Sequence, residues 1–134
     1  MSFTVGQEFA LKSVKVNRAL LLQYADASGD HNPIHQNEDF AKSVGLPDVI
    51  AHGMFTMGVA ATYLSEIAGS GSVIEFGAKF IKPVVVPADI DVLIDISGKV
   101  TDVVDGIAKV ELTVNCNDVK VLGNAKGAIK WQRN

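Results

Sequence analysis

The chain changes period once. Up to Gly69 its apolar positions recur with helical spacing, and beyond Gly71 they alternate with polar ones. Asn17 predicts the cap of a helix over residues 19–26 that Gly29 closes. Asn37 predicts a second, short helix over residues 37–44, stopped by Gly45 and Pro47. A third is predicted from His52-Gly53 through residue 68 to Gly69. This last segment is nearly free of charge. It falls short of the ~20 residues that cross a bilayer, so its apolarity predicts a central helix buried on all sides.

The later segments predict strands. Residues 74–80 form one. Ile90, Val92, Ile94 and Ile96 alternate with Asp91, Leu93, Asp95 and Ser97, and Val110, Leu112, Val114 and Cys116 alternate with Lys109, Glu111, Thr113 and Asn115. The last run places Val119, Val121, Gly123, Ala125, Gly127, Ile129 and Trp131 on one face, and its small central residues leave room for a bulky neighbour. Asp105-Gly106 and Asn117-Asp118 are turn signals between runs. With a strand at the start, the fold class is α+β: an antiparallel meander curled around one long helix, the hot-dog arrangement. Such a sheet leaves an open edge, which predicts pairing with a second copy or a related subunit.

The most informative stretch joins the first two helices. Tyr24-Ala25-Asp26-Ala27-Ser28-Gly29-Asp30-His31-Asn32-Pro33-Ile34-His35 has the marks of an ordered, non-helical loop: Pro33 fixes its own φ and pushes Asn32 out of the helical region. Asp30 and His35 are thereby held on a stiff turn. A carboxylate and an imidazole so placed can share one water, the minimum apparatus for moving protons to and from a substrate.

Composition narrows the field. At 134 residues, residues 1–134 make a single domain, and 48% hydrophobic with 20% charged residues is the balance of a globular protein. The net charge of −3 is interspersed, which argues against a nucleic-acid surface or a membrane-binding basic helix. The start of the chain lacks the pattern of a signal peptide and Cys116 stands alone, so the expected location is the cytoplasm.

The loop, read together with Ile50-Ala51-His52-Gly53-Met54, resembles the MaoC-like, or (R)-specific, enoyl-thioester hydratase family over almost the whole chain. The longer run through Gly58 is especially similar to the catalytic B subunit of type II fatty-acid synthase (3R)-hydroxyacyl-carrier-protein dehydratases. The resemblance implies a hydro-lyase of fatty-acid metabolism acting on acyl-CoA or acyl-carrier-protein thioesters, with Asp30 and His35 as the catalytic pair and the Gly53 amide as oxyanion donor. It implies no metal and no organic cofactor.

Adding water to a trans-2-enoyl thioester needs a water at the β-carbon, a proton at the α-carbon and a partner for the charge on the thioester oxygen. Asp30 and His35 can serve the first two needs. The Gly53 amide, at a helix N-terminus, can serve the third. Ser28, Asn32, His52 and Met54 are expected around these groups as substrate-binding or supporting residues, with Asn32 holding the loop and His52 the helix start. Met54, Phe55 and Met57 suit core packing, with a place for some along an acyl tunnel. His31 is expected to face solvent or line the pocket, and a zinc site from His31, His35 and His52 lacks metal-type spacing. Lys79, Lys82 and Lys126 are weak candidates for meeting an acidic carrier. A non-catalytic acyl-binding subunit and a hot-dog thioesterase are the competing readings.

Overall fold

Three asparagines start three successive helical segments, each turning its side-chain oxygen onto a backbone amide ahead of it. Asn17 accepts from Leu20 N at 2.9 Å, Asn32 from Ile34 N at 3.2 Å and Asn37 from Phe40 N at 2.9 Å. They open α1 (Arg18–Ser28), a 3-10 turn (Pro33–His35) and α2 (Glu38–Ser43) in a computed structural model that describes residues 2–131. The stretch expected to be wholly non-helical therefore carries one tight turn, and its first residues, Tyr24 to Ser28, still belong to α1 because the helix ends only at Gly29. Gly29, at φ 79°, ends α1 in the left-handed region and donates its N–H to Ala25 O at 2.9 Å. Then comes α3 (Gly53–Ala68), as its sequence predicts.

Five strands, β1 (Glu8–Val16), β2 (Val73–Phe80), β3 (Val92–Val104), β4 (Ile107–Cys116) and β5 (Val119–Lys130), form one antiparallel sheet in the order β1-β3-β4-β5-β2. Only β3-β4-β5 is a meander; β2 crosses to the far edge. The two turns join them as expected, Asp105-Gly106 and Asn117-Asp118 all having φ between 51° and 78°. Along α3, Ala60, Leu64 and Ala68 are buried in a core shared with Ile94, Ile96, Val110, Val114 and Ile129. The small residues of β5 make the room: a Cβ on Gly127 would lie 2.5 Å from Leu64 Cδ1.

Three expectations are corrected. Ile90 is outside β3 and half-exposed, because the chain still turns at Asp89 (φ 59°) and the ladder begins at Val92. The apolar face of β5 is buried from Val121 through Ile129, but Val119 at its start is 47% exposed, and Leu122 and Ala128 of the other face are buried as well. Finally, α3 is not buried on all sides. Met54, Gly58 and Thr62, spaced at i, i+4, are exposed, Met54 at 64%, because the sheet covers only the opposite face. Phe55 and Met57 are half-buried.

Arg18 ties the helical half together. Its Nη2 contacts Glu38 at 2.9 Å and Asp48 at 2.6 Å, while Nε donates to Val86 O at 3.0 Å. The start of α1 is thus fastened to α2 and to the segment that leads into α3. Among the described residues, no helix is long and apolar enough to cross a membrane.

Candidate active site

The loop after α1 is built from short local bonds. Ser28 Oγ accepts from Asp30 N, Asp30 Oδ1 from Asn32 N, and Asn32 Oδ1 from Ile34 N, each at 3.2 Å and each two residues ahead. Three successive side-chain turns hold the main chain while Pro33 starts the 3-10 turn. The Asn32 side chain holds the loop, and it is the Asn32 main-chain N–H, not the side chain, that donates to the Asp30 carboxylate. The turn carries His35 inward to 7% exposure, whereas the Asp30 side chain stays 52% exposed at the mouth.

His35 is oriented by Ile50, whose carbonyl lies 2.7 Å from Nδ1. A carbonyl only accepts, so Nδ1 carries the hydrogen and Nε2 keeps its lone pair. Nε2 faces Asp30 Oδ2 at 4.0 Å. Burial pushes the His35 pKa below its ordinary value of 6.5; the Ile50 bond opposes the shift, His52 adds to it and Asp30 opposes it. An imidazole kept neutral beside a carboxylate has the character of a base.

His52 packs against this pair. Its ring stacks on that of His35 with centroids 3.8 Å apart and planes 23° from parallel, and its Nε2 donates to the Asp30 main-chain oxygen at 3.0 Å. Its Nδ1 is buried without a partner among the described residues. Tyr24 leans on the His52 ring at 4.7 Å and on Phe55 at 5.4 Å.

Ligand atoms of Asp30, His35 and His52 all lie within 4.8 Å of one another. A metal needs lone pairs that converge on one point at about 2.0–2.2 Å. Two stacked imidazoles direct theirs along nearly parallel planes, so this trio suits proton transfer better than coordination.

Gly53 follows His52 as the first residue of α3, where a backbone N–H has no acceptor within the helix. A cavity of about 240 Å³ opens beside it, lined by Ile50, Thr56, Phe80, Val84 and Leu122. A second groove of about 420 Å³, along the exposed face of α3, is lined by Val14, Tyr24, Met54, Phe55 and Val59. Met54 belongs to that second groove, not to the core.

The structure brings together Asp30, His35 and His52, with Gly53 next in the chain and Asn32 and Ser28 supporting from the loop. His31 stands apart, its side chain 57% exposed and 3.9 Å from Asp26. Cys116 is buried, which raises its thiol pKa. Sequence reasoning passed over the Ile50 carbonyl and gave Tyr24 no role beside His52. No side chain marks a carbonyl, but Tyr24 had a signal as an aromatic one helical turn before the loop.

Comparison with known proteins gives relatives of the same fold. The chain is 45% identical over 76 residues to 3-hydroxyacyl-thioester dehydratase X of Mycobacterium tuberculosis, a match covering 56% of this chain and 26% of that protein. It is 34% identical over 70 residues to 3-hydroxybutyryl-CoA dehydratase of Methylorubrum extorquens, covering 52% and 44%. The chain thus matches about a quarter to under a half of these relatives' length. Among solved structures, a MaoC-like dehydratase superposes with a TM-score of 0.93 at 34% identity, covering 97% of this chain and 41% of that one. The (R)-hydratase from A. caviae involved in PHA biosynthesis shares the fold, with a TM-score of 0.84 at 23% identity and 98% of both chains covered. The family model described as MaoC like domain matches residues 2–119, and the chain belongs to that family.

Proposed function

We propose that this chain is an (R)-specific enoyl-thioester hydratase, running in reverse as a (3R)-hydroxyacyl-thioester dehydratase. The observation that carries the reading is the approach of Asp30 Oδ2 to a His35 Nε2 whose lone pair is left free by the Ile50 bond. Water held between the two attacks the β-carbon as its proton passes to the pair. The carbon–carbon double bond shifts its electrons toward the thioester carbonyl, whose oxygen takes the charge beside the Gly53 amide. Reprotonation at the α-carbon restores the carbonyl, so one water is added across the double bond and nothing is left over. General acid-base help of this kind contributes roughly 10²–10⁴-fold, and an oxyanion donor about 3–4 kcal/mol.

The cavity beside Gly53 offers an apolar place for the acyl chain, and the relatives named for hydroxyacyl-thioester and hydroxybutyryl-CoA dehydration support a thioester substrate. Coenzyme A and carrier protein share the pantetheine arm, and either can deliver it. Residues 1–134 act as one hot-dog domain, paired with a second copy or a related subunit along the open edge of β2, where Ile74 and Phe80 are more than half-exposed. The reading places the chain in the cytoplasm, with no cofactor.

The test follows the ultraviolet absorbance of crotonyl-CoA and a longer trans-2-enoyl-CoA while free thiol is monitored. Loss of absorbance without thiol release, abolished by Asp30→Asn, is the expected result. Thiol release identifies a thioesterase instead. No change with either substrate, nor with the enoyl carrier-protein thioester or an added partner subunit, sinks the reading.

A further inference from the structure

One side chain touches every part of the proposed machinery. The His52 ring lies on the His35 ring at 3.8 Å, its Nε2 holds the Asp30 carbonyl at 3.0 Å, and its main chain leads directly into the Gly53 amide. The His52 carbonyl also accepts from Phe55 N at 3.1 Å and Thr56 N at 3.3 Å, fixing the first turn of α3 and with it the direction of that amide. The ring is 1% exposed and makes no side-chain cap for its own helix, although it occupies the cap position. A residue chosen to start a helix would be Ser, Thr, Asp or Asn. A residue chosen only to fill space would not leave a buried ring nitrogen without a partner, as Nδ1 is here. The imidazole does something those alternatives cannot: it is flat enough to stack and carries a donor on its far edge.

We propose that His52 is a positioning residue for the hydration, holding the Asp30 main chain and the His35 ring in register with the Gly53 amide. The inference rests on the proposed reaction and adds a specific division of labour. Without the stack, His35 is free to turn about its bond to Ile50. Without the donor, the Asp30 carbonyl loses its partner, and the carboxylate is held only by the local bonds of an exposed loop.

Two substitutions separate the contributions. His52→Phe keeps a flat ring and removes the donor, whereas His52→Gln keeps an N–H donor and removes the ring. Turnover of crotonyl-CoA is expected to fall by roughly 10–10²-fold in each, with KM near native, as when a catalytic group is displaced by about an ångström. The activity-independent readout is the NMR signal of the His35 Nδ1 proton, which the bond to the Ile50 carbonyl protects from exchange. It is expected to weaken in His52→Gln, which loses the stacked ring and lets His35 turn, and to persist in His52→Phe, which keeps a ring in the stack.

Native kcat in both variants overturns the inference even where Asp30→Asn is inactive. A fall in kcat matched by an equal loss of folded protein, with the His35 Nδ1 proton signal native in His52→Gln, also overturns it, because that is the mark of a merely structural residue. If native protein hydrates no enoyl thioester, the proposed reaction fails, and the His35 Nδ1 proton signal in His52→Gln still decides whether His52 positions that ring.

Discussion

The Ile50 carbonyl and His35 Nδ1 lie 2.7 Å apart, and this bond decides which nitrogen of His35 is available to a substrate. Burial holds the imidazole below its ordinary pKa, so the folded protein keeps it neutral at pH values where an unfolded chain protonates it near 6.5. The sign follows directly. Between the folded value and 6.5 the unfolded state binds more protons, so stability rises with pH in that window and falls as pH drops through it. Urea midpoints measured from pH 7.5 downward should decline, and His35→Gln should flatten the decline. Hydration should share the same acid limb, because protonated Nε2 can no longer take a proton from water.

Asp30 is exposed enough to be changed without disturbing the core. Asp30→Asn keeps the acceptor for Asn32 N and removes the charge, and turnover should drop by roughly 10²-fold or more. His35→Ala should lose at least as much activity while also opening a small void. Steady-state kinetics with crotonyl-CoA, beside circular dichroism, check both. Near-native activity in either variant would remove that residue from the proton machinery.

Gly127 has no space for a side chain. A Cβ there would meet Leu64 Cδ1 at 2.5 Å and the Glu75 carbonyl at 3.2 Å, and Leu64 is fully buried. Gly127→Ala should destabilise by about 1–3 kcal/mol through overpacking. Adding Leu64→Ala should cost less in the Gly127→Ala background than in the native one, and a double-mutant cycle by urea unfolding measures the difference.

The turn between β4 and β5 holds both Asn117 (φ 51°) and Asp118 (φ 61°) in the left-handed region. Asn-Gly is the preferred pair for such a turn. Asp118→Gly should therefore raise stability by a few tenths to about 1 kcal/mol, relief of strain outweighing the added freedom of the unfolded chain. A thermal midpoint at or below the native value would show that the Asp118 side chain contributes more than its backbone costs.

What the sequence revealed about the site was what lies close along the chain. Asp30 and His35 stand five positions apart around Pro33, and rules of turn chemistry suffice to place them on one stiff loop. His52 is 22 residues beyond Asp30, and no local rule says that its ring stacks on His35 or that its Nε2 reaches the Asp30 carbonyl. The strands followed from alternation wherever burial alternates along them, as in β4. They failed at the ends: Ile90 lies ahead of the first ladder pair of β3 and Val119 is exposed at the start of β5, and an alternating string carries no mark of where burial begins. For α3, apolarity foretold burial but not how much of it one sheet supplies, and Met54, Gly58 and Thr62 are the remainder.

The place of β2 at the edge of the sheet bears on how the chain acquires its structure. In sequence β2 comes directly after α3, yet in the sheet it is joined to the other strands through β5, the last of them in chain order. The intervening meander must fold back across more than 40 residues before Phe76 meets Gly127. Closure of this kind is slow, in the range of milliseconds to seconds for sheets dominated by distant pairings. Until it happens, β2 is a strand with two open sides next to an apolar helix. The newly made chain is therefore most vulnerable to wrong partners just before its final hairpin appears, and that interval is the one in which a chaperone or an early-binding subunit has most to protect.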